Sequence, residues 1–111
     1  MNLVSLREKH LIMFKIDKTI DRVYFTLNAE HGKILLTSIP FTNEEDALLA
    51  SNSCSEIIKK KSGIERKTSS NGKFHFIVKN TDGTILAQSE EYTSEAGMQN
   101  NIEAIRKLAS K

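Results

Sequence analysis

The feature that most limits what this chain can fold into is an internal repeat: adding 51 to a residue number carries one half of the chain onto the other. Residues 25–38 (FTLNAEHGKILLTS) lie over residues 76–89 (FIVKNTDGTILAQS), with Phe25 on Phe76, Gly32 on Gly83, Leu35 on Leu86 and Ser38 on Ser89. The match runs on to Phe41 on Tyr92, Thr42 on Thr93 and Glu44 on Glu95, and upstream to Lys15 on Arg66 and Arg22 on Lys73. No gap is needed between Met13/Ile64 and Glu44/Glu95. A repeating unit of this size cannot bury its own apolar face alone, so the two copies are expected to share a core.

Within each copy the pattern specifies three strands and a helix. Val23, Phe25, Leu27 and Ala29 alternate with Tyr24, Thr26 and Asn28, the period of a half-buried strand, and Phe74, Phe76 and Val78 do the same. Asp82-Gly83 and Asn71-Gly72, each between apolar runs, are hairpin signals. The corresponding turn of the first copy, at Ile20-Asp21, lacks glycine and is expected to be looser. Thr42 with Glu45, and Thr93-Ser94-Glu95, open helices as capping boxes do. Ala47, Ala50, Cys54, Ile57 and Ile58 form one apolar stripe; Met98, Ile102, Ile105 and Leu108 form the other. Ser62-Gly63 stops the first helix. Two helix registers between the copies remain open. The ungapped one sets Cys54 on Ile105; a three-residue shift sets Ile57 on Ile105.

The expected fold is α+β: a tandem duplication of a β-β-β-α unit, antiparallel sheets with two helices packed into one compact pseudo-twofold domain. Residues 1–12 form an N-terminal extension, 13–61 the first repeat and 64–111 the second. A hydrophobic share of 39% supports a packed core and argues against wholesale disorder. The single cysteine, Cys54, excludes an internal disulfide framework and fits a reducing, cytoplasmic setting. The apolar stretch Leu11 to Phe14 is too short for a signal-peptide core or a membrane span.

The segments Asn71-Gly72-Lys73-Phe74-His75-Phe76, residues 83–89 (GTILAQS), Tyr92-Thr93-Ser94 and residues 101–107 (NIEAIRK) resemble the tandem YegP-like family of bacterial proteins. The resemblance covers the chain from about Met13 onward; the first copy matches more loosely, through residues 34–38. It implies the β-β-β-α duplication, and single-copy relatives that pair to rebuild the same unit. It brings no activity, cofactor or catalytic residue that could be transferred. Residues 41–45 (FTNEE) depart from the family's usual run of an aromatic, two hydroxyl residues, lysine and alanine.

Candidate sites are few. The densest charge feature is the basic run Lys59, Lys60, Lys61, Arg66, Lys67 and Lys73, which suits phosphate contact or, more simply, the negative end of a helix. With the paired basics Lys15/Arg66 and Arg22/Lys73 it gives the candidate binding set Lys15, Arg22, Lys60, Lys61, Arg66, Lys67 and Lys73. His10, His31 and His75 lack zinc-site spacing, so neither metal nor cofactor is expected. Cys54, on an apolar helix stripe, reads as packing rather than nucleophile. Ser38/Ser89 and Thr42/Thr93 read as strand-end and cap hydroxyls, and Phe41 and Tyr92 as aromatic plugs between sheet and helix. With no glycine-rich phosphate loop, no clustered ligands and no acid pair outside the first turns of the helices, the expected function is a non-enzymatic binding or protein-interaction module. The alternatives are weak RNA or single-stranded DNA binding through the basic cluster and, least favoured, an enzyme. An unknown protein is the first-choice partner. The chain is expected to be a two-repeat monomer, with a homodimer as the alternative, and not to engage a membrane.

Overall fold

The computed structural model describes residues 14–29, 32–60 and 62–109. Three strands and a helix follow one another twice: β1 (Phe14–Lys18), β2 (Val23–Asn28), β3 (Ile34–Ser38) and α1 (Glu44–Lys60), then β4 (Ile64–Thr68), β5 (Phe74–Lys79), β6 (Ile85–Gln88) and α2 (Glu95–Ala109). In place of the separate sheets expected from the repeat, the strands form one six-stranded antiparallel sheet in the order β1-β2-β3-β6-β5-β4. β3 and β6 would each be an open edge of a three-stranded meander. They pair through Thr37↔Gln88 and Ser38↔Ala87, which removes both edges at once.

The core lies between one face of this sheet and the two helices. Phe25, Leu27, Phe76 and Val78 face it from β2 and β5, and Cys54, Ile58, Ile102 and Ile105 from the helices, in one cluster that runs through both halves. The buried helix positions are Ala47, Ser51, Cys54 and Ile58 in α1 and Met98, Ile102, Ile105 and Ala109 in α2. Each pair is 51 apart, so the ungapped helix register is the correct one. At the first three pairs α1 presents the smaller side chain; at the last, Ile58 against Ala109, the order reverses. It touches β1, β2, β5, β6 and α2, whereas α2 lies on β5 and α1. Phe25 meets Phe14 edge-on at 5.4 Å and stacks with Phe41 at 6.2 Å; Phe76 stacks with Tyr92 at 6.4 Å.

Three sequence expectations are corrected. The first concerns strand register. β1 sets Ile16 opposite Phe25, and β4 sets Arg66 opposite Phe76, so Arg66 corresponds to Ile16 and not to Lys15. The cause is turn length. The β1–β2 turn closes from Thr19 N–H to the Arg22 carbonyl (2.8 Å), the β4–β5 turn from Ser69 N–H to the Lys73 carbonyl (2.7 Å), one residue longer. The glycine-free turn is thus the tighter of the two. Gly72, with φ +82°, supplies the left-handed residue that the longer turn requires. A one-residue slip reverses the face a side chain occupies, so Lys15 and Arg66 stand on opposite faces.

The helix caps also sit one residue later than expected. Asp46 N–H donates to Asn43 Oδ1 at 2.8 Å, and Gly97 N–H to Ser94 Oγ at 3.0 Å. Thr42 and Thr93 are exposed and cap nothing among the described residues. The reason lies just upstream: Phe41 and Tyr92 are still extended, each bonded to β2 or β5 through Val23 and Phe74, so the chain turns into the helix only after them.

Candidate functional site

With both helices on one side, the opposite face of the sheet carries no helix among the described residues. One row of side chains crosses it from edge to edge: Lys15, Thr26, Thr37, Gln88, Ile77 and Glu65. Beside that row lie Asp17, Tyr24, Ile34, His75, Ile85, Lys67 and Lys79, the strand positions out of phase with the core. Thr26 and Ile77 are nevertheless buried. Ile34 and Ile85 stand out at 49% and 42% exposure.

Two shallow clefts indent this face. One, of about 820 Å³, follows the β3–β6 seam past Lys33, Ile34, Thr37, Gln88 and Glu90. The other, of about 430 Å³, lies over β1 and β2 between Asp17, Thr19, Arg22, Tyr24 and Pro40, and shares Ile34 and Thr37 with the first. A third, of about 340 Å³, sits at the far hairpin end against Ile57, Gly63 and Lys79.

The charges on the face are mostly matched in place. Lys15 lies 3.8 Å from Asp17, Lys33 3.6 Å from Glu90, and Glu65 takes both Lys67 (2.6 Å) and Lys79 (3.0 Å). Hydrogen bonds from Lys67 and Lys79 hold the Glu65 carboxyl below the usual carboxylate range. At the β4–β5 turn, Asn71 Nδ2 donates to Glu91 at 3.1 Å, and Ser69 Oγ lies 2.9 Å from His75 Nδ1. Bonds from Ser69 and Asn71, then the nearby Lys73 and His75, lower the Glu91 carboxyl as well.

The basic residues singled out from sequence are not brought together as one patch. Lys15 and Glu65 end the same row five strand spacings apart, roughly 24 Å, which separates Lys15 from the basics of β4. Arg66 faces the helix side and donates to Gln99 of α2. Lys67 shares the helix-free face, Lys73 is exposed just before β5, and Lys60 ends α1. Lys61 lies outside the described residues, as do His10 and His31. Arg22 lines the smaller cleft and has no ion pair among the described residues. Tyr24, Ile34 and Ile85 were not singled out from sequence, although taking the strand phase opposite to the core would have found them.

The buried candidates are structural. Cys54 is fully buried and its thiol is pushed up to about 12 by that burial, far from the thiolate a nucleophile needs. Tyr92 is buried in the core cluster, and burial, with Glu90 nearby, pushes its phenol up to about 12. Its hydroxyl has no hydrogen-bond partner among the described residues. Among those residues no three His, Cys, Asp or Glu side chains are arranged to hold a metal ion, and no helix is long and apolar enough to cross a membrane.

An antiparallel sheet with two helices on one face defines an α+β fold seen in solved proteins. The solution structure of YegP from Escherichia coli, a protein of unknown function, matches with a TM-score of 0.81 over 88% of this chain and 85% of that one, at 27% identity. The solution structure of UPF0339 protein SO3888 from Shewanella oneidensis gives 0.82 over 88% and 84%, and at 22% identity shows the fold alone. A domain of unknown function, DUF1508, matches residues 69–111. UPF0339 protein PA0329 of Pseudomonas aeruginosa is 32% identical over 95 residues, which make up 85% of this chain and 86% of that protein. The chain belongs to the UPF0339 family, the YegP-like group that the sequence segments resemble.

Proposed function

We propose that this protein is a non-enzymatic module that binds another protein on the helix-free face of its sheet. The observation that carries the reading is the charge pattern of that face. Lys15, Lys33, Lys67 and Lys79 each have an acidic partner on the same surface. A polyanion is held by cations free to displace its counterions. A face of matched charges around exposed Ile34 and Ile85 suits instead a protein surface with aliphatic groups and both signs of charge. The sheet edges favour the same choice. β1 carries Lys15, Asp17 and Lys18 and β4 carries Glu65, Arg66 and Lys67, side chains that discourage strand addition.

Two further readings belong with this proposal. The two β-β-β-α units descend from a tandem duplication and are related by a pseudo-twofold axis between β3 and β6. The recurrence of the same buried positions, bridges and serine hydrogen bonds in both halves supports that origin. The module works as a cytoplasmic monomer, which its one buried free thiol suits.

A tagged pull-down from native lysate, with and without nuclease, tests the function. The wild type and a Leu49→Asp control on the outer side of α1 are expected to retain a nuclease-resistant protein. The Ile34→Asp/Ile85→Asp double variant is expected to lose it. Recovery of nucleic acid that disappears on neutralising Arg22, Lys60, Arg66, Lys67 and Lys73 would replace this reading with nucleic-acid binding.

A further inference from the structure

The two ends of the helix-free face are built alike but finished differently. In the second half, the carboxylate of Glu91 is an internal guest. It takes a hydrogen bond from Asn71 (3.1 Å) and lies close to Ser69, Lys73 and His75. The hairpin-closing bonds match Thr19 to Ser69 and Arg22 to Lys73; strand register matches Tyr24 to His75. The Phe41 and Tyr92 bridges, one residue on, match Pro40 to Glu91. The first half therefore keeps a hydroxyl at Thr19, a cation at Arg22 and a polar ring at Tyr24, but proline replaces the carboxylate, and the turn, one residue shorter, has no counterpart of Asn71. There the structure has a cleft of about 430 Å³, lined by Thr19, Arg22, Tyr24 and Pro40. Neither Arg22 nor Lys73 makes an ion pair among the described residues, but the charge of Lys73 is near enough to lower the Glu91 carboxyl, and Arg22 has no such carboxylate at Pro40.

We infer that this cleft is a carboxylate-binding site, in which an external carboxylate takes the place that Glu91 fills in the other half. Arg22 contributes a planar guanidinium suited to a two-point hydrogen bond with a carboxylate. Tyr24 adds a hydroxyl donor, Thr19 a second one once it turns from its 3.4 Å bond to the Arg22 carbonyl, and Ile34 and Pro40 an apolar wall for the carbon part of the ligand. Asp17 also lines the cleft, but its charge is opposed by Lys15 at 3.8 Å. The inference does not need the protein-partner reading, since a free organic acid and an acidic side chain present the same group.

The test is a titration of the labelled protein with sodium acetate, followed by amide chemical shifts, against sodium chloride at matched ionic strength. Saturable shifts confined to Thr19–Tyr24 and the Pro40 neighbourhood are expected with acetate and not with chloride. Arg22→Gln is expected to weaken them by about tenfold or more. Pro40→Glu, which restores the internal carboxylate, is expected to do the same with the fold intact. An acetyl-glutamyl-amide probe separates the sources: tighter binding than acetate assigns the site to an acidic polypeptide, equal binding to a small acid. Shifts that chloride reproduces, that Arg22→Gln leaves intact, or that fail to appear overturn the site, and would leave the pull-down result on Ile34 and Ile85 unaffected.

Discussion

The hydroxyl of Ser38 accepts the amide proton of Phe25 across the β2–β3 hairpin at 2.9 Å and passes its own proton to the Ile39 carbonyl at 2.7 Å. Ser89 repeats this with Phe76 and the Glu90 carbonyl, at 3.0 and 2.7 Å. In each half one side chain replaces a backbone partner at a buried point of the ladder. Ser38→Ala and Ser89→Ala should each cost about 1–3 kcal/mol, the cost of leaving a buried amide unpaired. Urea unfolding midpoints measure the loss; a change below about 0.5 kcal/mol would mean that water or a backbone shift satisfies the amide.

Gly63 is required for space. A Cβ there would lie 2.2 Å from Ile57 Cγ2 and 2.5 Å from the Lys79 carbonyl, which itself belongs to the residue whose N–H bonds Gly63. At Gly83 a Cβ would meet nothing, and only its φ of +89° objects. Gly63→Ala is expected to destabilise by about 2 kcal/mol or more through overpacking, and Gly83→Ala by about 1 kcal/mol. Thermal unfolding of the pair should keep that order.

Cys54 should be silent in the folded protein. With its thiol pushed up to about 12 and no exposure, alkylation by iodoacetamide at pH 8 is expected only at the rate of unfolding. Labelling in urea should be immediate. Fast labelling of the native protein would show that α1 opens without global unfolding.

Stability should fall on acidification. The carboxyls of Glu65 and Glu91 are lowered in the folded state, by the Lys67 and Ser69 hydrogen bonds first of all. Groups lowered on folding stabilise above their unfolded pKa, and that contribution disappears as pH falls through the folded value. Urea midpoints should therefore hold at neutral pH and drop below the ordinary glutamate value of 4.5. Glu91→Gln should flatten part of that drop. A variant with the wild-type profile would show that the Glu91 contacts do not persist in solution.

The parts of the fold that local chemistry marks were legible in the sequence. Asn71-Gly72 and Asp82-Gly83 turned where expected, and the helix stripes from Ala47 to Ile58 and Met98 to Leu108 faced the core. What escaped was set by turn length and by long-range pairing. One residue fewer between Thr19 and Arg22 moved Lys15 off the position of Arg66, and a linear comparison of charges has no access to that slip. The β3–β6 seam rests on Thr37, Ser38, Ala87 and Gln88, residues with no local mark of their pairing. The candidate face lies in the strand phase opposite to the core: Tyr24 and Ile34 share a cleft within the first hairpin, and the seam brings Ile85 onto the same surface.

The most direct test of that face is a photo-crosslinking side chain placed at Thr37, on the seam, and separately at Leu49, on the outer side of α1, with each variant irradiated in native lysate. The account expects a discrete, nuclease-resistant protein adduct from Thr37 and none from Leu49. Adducts from Leu49 alone, or a Thr37 adduct consisting of nucleic acid, would contradict a protein-binding role for the helix-free face.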